Sequence, residues 1–217
     1  MHLPESLTKE ARVDDIEFKI FDFKSIIESL FSPVGFGLFS AFLAIFGQQI
    51  FSSIYGLYTL EKFGYGPEEV GTLLMGMAFM YTLSQGVLVG PLTKKLGDYN
   101  LIKISFFGSA IGFLLIILAS NYISLFITMS IFILFNSFIK PTAISIVSKS
   151  ANQEEQGKAM GIVESYMSLG RIFGPIWGGI IFDVNLYFPF ISGIIVFMSI
   201  CTFQVLKKDS LKQIQEF

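Results

Sequence analysis

Apolar residues gather along the chain into windows about as long as a bilayer is thick, divided by short clusters of charge. A helix rising 1.5 Å per residue needs ~20 mostly apolar residues to cross a hydrocarbon core ~30 Å thick. Six windows meet that length, at Val34–Leu60, Val70–Pro91, Leu101–Ala119, Tyr122–Ser148, Lys158–Val184 and Leu186–Leu206. The pattern predicts an all-α integral membrane protein whose six-helix transmembrane domain occupies residues 33–207. Residues 1–32 and 208–217 are expected to be a charged, amphipathic segment and a tail, both cytoplasmic. No soluble catalytic domain is expected in either, so the chain's activity falls to the bundle.

Residues 1–32 scatter Glu5, Glu10, Asp14, Asp15, Glu17 and Asp22 where a secretory leader would need an unbroken apolar run. No cleaved leader is expected. Ile16, Ile20, Phe23, Ile27 and Leu30 recur at helical spacing and predict a short surface helix; a strand over Ile16–Ile20 is the competing reading. Loops rich in Lys and Arg stay cytoplasmic, which orients the bundle. Lys9, Arg12, Lys19 and Lys24 precede the first window, and Lys94, Lys95 and Lys103 flank the second connection. Lys149 and Lys158 flank the fourth, and Lys207, Lys208 and Lys212 follow the last window, whereas the opposite connections carry only Lys62. A multi-pass protein of the plasma or inner membrane with both termini cytoplasmic is expected.

Composition narrows the chemistry. The chain is 53% hydrophobic and 15% charged, with 25 Phe and 20 Gly, whereas soluble domains run near ~25% charged. A net charge of −2 supplies no cationic reservoir for counterion release, so no nucleic-acid partner is expected. Cys201 and His2 stand alone as cysteine and histidine, which argues against metal, cofactor or disulfide chemistry.

Charged or large amide side chains cost ~2.5–3.5 kcal/mol each at the centre of a membrane helix, so their placement is informative. Gln48 and Gln49 lie in the first window, Gln85 in the second, Asn136 and Lys140 in the fourth, and Glu164 and Arg171 in the fifth. The third and sixth have almost none and read as lipid-facing supports. That arrangement divides the bundle into two triplets and predicts two inverted three-helix repeats. Glu164 and Lys140 fall at similar depths, roughly 10 and 12 Å from one side, and are expected to pair. Structural glue, a proton-coupling carboxylate and snorkelling to the surface are the readings of that pair. Arg171, seven residues beyond Glu164, is expected to face the bundle interior. Pro175 removes the amide that would bond the carbonyl of Arg171 and predicts a kink; Pro141, next to Lys140, repeats the device. Arg171 is then either satisfied by carbonyls or a site for an anion or substrate. Gly170, Gly174 and Gly178 recur every fourth residue, as do Gly86 and Gly90, Gly108 and Gly112, and Gly157 and Gly161, a spacing that permits close helix contact. The phenylalanines read as core filler and lipid-facing surface.

Three stretches resemble the major facilitator superfamily, and specifically the C-terminal six-helix half of a twelve-helix transporter. The run from Gly90 through Leu92, Lys95 and Gly97 to Asp98 resembles the family's cytoplasmic loop motif, with Lys94 at the motif's acidic position. Gly157 to Gly161, then Ser165, Ser168, Gly170, Arg171, Gly174, Pro175, Gly178 and Gly179, resemble the eleventh helix of drug-efflux members. Glu61 to Gly66 and Glu69 to Gly71 resemble the outer turn between the seventh and eighth helices. The resemblance covers roughly residues 34–206, and the segment before them resembles the central cytoplasmic loop. It implies that the first, second, fourth and fifth helices surround or gate a cavity while the third and sixth support them. It also implies export of a small, drug-like or lipophilic molecule by proton exchange.

A lone half would leave Gln48, Gln49, Lys140 and Glu164 facing lipid, so a second six-helix half or a second copy is an expected partner, beside the bilayer and a small-molecule substrate. An intramembrane peptidase would need histidines on its later spans, and His2 is the only one. The class that competes with transport is a non-transporting membrane subunit or the inactive product of a shortened gene.

Overall fold

A computed structural model describes residues 35–151 and 156–206, with side chains through residue 200. The amphipathic segment expected within 1–32 and the tail at 208–217 lie outside the described residues. Six helices follow one another: α1 (Gly35–Phe63), α2 (Pro67–Leu96), α3 (Asp98–Leu118), α4 (Tyr122–Ser150), α5 (Gln156–Val184) and α6 (Phe188–Leu206). Each falls on one of the windows read from the sequence. Four of them, α1 to α4, are long and apolar enough to cross a membrane. α5 has the length, but its glycines, Glu164, Arg171 and Asp183 dilute its hydropathy, and α6 is a shorter apolar helix over Phe188–Ile200.

Local chemistry sets the ends. Gly64 takes φ +72°, and its amide bonds the carbonyl of Leu60 at 2.9 Å, which closes α1 with a left-handed cap. Pro67 opens α2 where no amide is needed, and the carboxylate of Glu69 accepts from the Gly66 amide at 2.9 Å. Asn121 and Ser124 cap α4 reciprocally, at 2.9 and 3.0 Å. α2 contains one wide π-helical turn, Ser84–Leu88, shortly before Pro91, whose ring leaves the carbonyl of Val87 without its helical donor.

The motif read as a loop is a correction. Gly90, Leu92 and Lys95 belong to the last two turns of α2, and the connection to α3 is Gly97 alone, at φ +74°. No residue between Pro91 and Leu96 breaks a helix, so the turn is delayed until a glycine can adopt a left-handed conformation.

α1 packs along α5, while α3 packs between α4 and α6. The glycines of α5 set the first contact. A Cβ added at Gly170 would stand 2.9 Å from the Phe42 carbonyl and the Phe46 amide. One at Gly174 would stand 2.6 Å from Cβ of Gln49, and one at Gly178 2.9 Å from the Ser53 hydroxyl. Gly108 and Gly112 likewise lie against Phe135 and Phe132 of α4. The close contact expected at Gly86, Gly90, Gly157 and Gly161 is not made, since a Cβ at any of them meets nothing within 4 Å. Between α1, α3, α4 and α6 lies an aromatic core in which the Phe113 ring stacks on Phe132 and Phe197, with centroids 4.4 and 5.4 Å away.

Burial departs from the expected division of labour. The most apolar stretch of α1 is 61% buried and that of α3 56%, against 17% for α2. α3 is therefore a core helix on one face, through Phe106 and Phe113, and an apolar outer surface on the other, through Ile104, Phe107, Ile111 and Leu114.

Candidate functional site

Seven residues are two helical turns, so Glu164 and Arg171 share one face of α5. The Arg171 guanidinium Nη1 donates to Glu164 Oε1 at 2.6 Å and approaches the Ser168 hydroxyl at 3.4 Å. The expected Glu164–Lys140 pair is not formed: Lys140 is half-buried on α4 and makes no ion pair among the described residues. α5 lies mainly along α1, so equal depth does not bring Glu164 to α4.

Arg171 also departs from its expected interior position. Its side chain is 42% exposed and that of Glu164 57%: the pair lies beside the glycine stripe that presses on α1, at the edge of that contact rather than within it. Around the pair, Ile172, Phe173, Ile176, Trp177 and Ile180 are exposed. The result is one mutually neutralised pair of charges in a broad apolar face. α5 runs unbroken through Pro175, as α4 does through Pro141.

A second polar region joins α2 to α4. Pro141 has no amide to offer the carbonyl of Ser137, and Gln85 Nε2 donates to that carbonyl at 2.6 Å instead. The hydroxyls of Ser84 and Ser137 lie 2.5 Å apart. Asn136 is buried beside them, with its Nδ2 unpartnered. Gln49 is half-buried under Gly174, while Gln48 opens onto a groove of about 420 Å³ between α1 and α2, closed on one side by Ile133 of α4.

Two clusters escaped the sequence reading. Asp98, buried at the start of α3, accepts from Lys149 Nζ at 2.5 Å and from the Ser145 hydroxyl at 3.1 Å, both on α4. At the other end of the bundle, Lys62 Nζ donates to the Ile117 carbonyl at 2.6 Å and to the Tyr58 hydroxyl at 2.9 Å. Its ammonium also lies 5.1 to 5.4 Å from the ring centres of Tyr58, Phe63 and Tyr187. Lys149 and Lys62 were visible in the sequence only as loop charges. Asp98, directly after a turn glycine and ahead of an apolar run, was the available signal for the first cluster.

Among the described residues no group of three or more Asp, Glu, His and Cys stands together to hold a metal. The arrangement offers charge pairing and helix contact.

Residues 37–215 match the family described as Major Facilitator Superfamily. Multidrug resistance protein 2 of Bacillus subtilis (strain 168) is 30% identical over 192 residues, which cover 87% of this chain and 48% of that protein. Multidrug resistance protein 1 of the same organism is 32% identical over 77% of this chain and 43% of its own length. Quinolone resistance protein NorA of Staphylococcus aureus (strain COL) is 25% identical over 79% of this chain and 44% of its own. The chain thus spans about half the length of the curated relatives it matches.

Proposed function

Because the chain belongs to the major facilitator superfamily, a family of membrane transporters, we propose that it is the C-terminal six-helix half of a proton-coupled exporter of small molecules. The names of its relatives, multidrug and quinolone resistance proteins, support drug-like cargo. The second six-helix bundle is supplied by further sequence of a longer chain, by another chain or by a second copy of this one. Residues 33–207 form the bundle as two inverted three-helix repeats, flanked by cytoplasmic segments at 1–32 and 208–217.

The observation that carries this reading is the outward face of α5. An ion pair amid exposed Ile172, Phe173, Ile176 and Trp177 is costly against hydrocarbon and inexpensive against a second bundle enclosing a wet path. Glu164 is the coupling carboxylate: protonation from one side releases Arg171, and deprotonation on the other restores the pair. Gln48, Gln49, Asn136 and Lys140 are the further candidates for lining that path, and Gln85 holds α2 to α4 beside it.

The competing reading is a non-transporting membrane subunit or inactive fragment. Lys94, where related loops carry an acid, favours it.

Light scattering on mild detergent extracts of the native membrane, followed by ethidium extrusion from proteoliposomes under an imposed proton gradient, tests the proposal. A complex holding two bundles, with gradient-driven extrusion, is expected. A lone 24.2 kDa species that extrudes nothing overturns it.

A further inference from the structure

α2 carries a row of inward residues, and its π turn decides where that row goes. Leu73, Met77 and Ser84 are its buried positions, spaced so that they share one helix face. Continued as an unbroken α-helix, the row would run on through Leu88, Pro91 and Lys95 and press Lys95 toward the bundle. The turn at Ser84–Leu88 holds one extra residue, which rotates everything beyond it by about 100°. The row resumes one position later. Val89, Leu92 and Leu96 are half-buried, while Pro91, Lys94 and Lys95 are exposed. The last two turns of α2 thus have an apolar side toward the bundle and a cationic side turned away from it.

Nothing in the bundle neutralises that side. Neither Lys94 nor Lys95 forms an ion pair or a hydrogen bond among the described residues. No Asp or Glu stands between Glu69 and Asp98, and the Asp98 carboxylate is buried and taken by Lys149 and Ser145. Val89–Leu96 buries no side chain, and Gly90 has open space beside it. Depth places the two lysines among headgroups. By helical rise Glu69 and Lys94 stand roughly 38 Å apart, more than the ~30 Å hydrocarbon core, so each reaches a headgroup layer.

We propose that Lys94 and Lys95 form a docking surface for anionic phospholipid headgroups, in preference to zwitterionic ones. Charge complementarity decides the occupant. A zwitterionic headgroup carries its own cation beside the phosphate, whereas phosphatidylglycerol presents an unbalanced phosphate that two adjacent ammonium groups can share. Each lysine held near such a surface raises association about fivefold. The π turn is what makes the pair available, since without its extra residue Lys95 would face the bundle. Docking of this kind requires neither transport nor a second bundle, and it holds whichever side of the membrane the end of α2 faces.

Gly90→Cys places a probe beside the lysines without pressing on any neighbour, in a Cys201→Ser background that removes the native cysteine. The full chain, labelled there with bimane, is reconstituted in phosphatidylcholine vesicles. Quenching by doxyl-labelled phosphatidylglycerol is compared with quenching by doxyl-labelled phosphatidylcholine, and the ratio of their apparent association constants is read. Gly71→Cys, also in open space but near the Glu69 end of α2, is the reference. The ratio at residue 90 is expected to reach about tenfold or more in favour of phosphatidylglycerol, against about one at residue 71. Lys94→Gln with Lys95→Gln brings it to about one, replacement of both by Arg keeps it, and Lys158→Gln, on α5, leaves it unchanged. A ratio of about one at residue 90, as a protein segment seated over the lysines would give, overturns the proposal. So does a preference that survives loss of both lysines or is equal at residue 71.

Discussion

Gln85 of α2 bonds the Ser137 carbonyl of α4, the acceptor that Pro141 strips of its helical donor. A buried carbonyl without a partner costs about 1–3 kcal/mol. Gln85→Leu is therefore expected to lower stability by that amount, read as a fall in the thermal midpoint in detergent. In a Pro141→Ala background the helix regains its own amide, and the same substitution should cost much less. Equal costs in both backgrounds would show that Gln85 does not act through this carbonyl.

The Glu164–Arg171 pair is exposed on both sides, and exposed pairs contribute ~0–1 kcal/mol. Glu164→Gln should leave the thermal midpoint nearly unchanged while removing the pH dependence of ethidium extrusion by the assembled transporter. Extrusion that still follows pH would exclude Glu164 as the coupling group.

Lys140 and Glu164 do not touch, so their substitutions are expected to add within about 0.5 kcal/mol in a double-mutant cycle. Arg171→Met and Glu164→Gln, by contrast, should couple. Thermal unfolding of the single and double variants measures both cycles.

Gly174→Val would drive a side chain into Gln49 and the Phe46 carbonyl, and overpacking of this kind costs about 1–3 kcal/mol or more. Gly179→Val, on the same helix with nothing within 4 Å, should be tolerated apart from the weak helix propensity of valine. A comparison of monodisperse yield after mild heating separates the two.

Asp98 is 7% exposed and Lys149 67%, so the two ends of that pair are unequal. Lys149→Met leaves a buried carboxylate with only Ser145 as donor, a loss of about 1–3 kcal/mol. Adding Asp98→Asn should recover part of it, since the neutral amide needs no counter-charge. A double variant less stable than Lys149→Met alone would contradict the pairing.

The six helices were legible because lipid thickness sets their length, and length survives in the sequence as apolar windows between charges. That the stripe of Gly170, Gly174 and Gly178 would press closely on a neighbouring helix was legible too, in its four-residue spacing; that the neighbour is α1 was not. The partner of Glu164 was not. Depth is one coordinate and azimuth another, and only the second decides whether a side chain meets a neighbouring helix or its own next turns. Gly86, Gly90, Gly157 and Gly161 show the same limit: the spacing permits contact, but which face meets another helix depends on the packing of the whole bundle. Asp98 was read as the end of a motif and Lys149 as a boundary charge; 51 residues separate them, and nothing local records that separation as proximity.

Along the glycine contact α5 contributes no side chain, so its backbone rests directly on the backbone of α1 and on the side-chain bases of Ile45, Gln49 and Ser53, with little there to yield. The two helices form a doubled beam. A tilt imposed on the charged outer face of α5 is carried directly into the stretch of α1 that bears Gln48, Ser52 and Gly56. A displacement of α5 at Glu164 would therefore reach the wall of the groove as movement of a stiff lever.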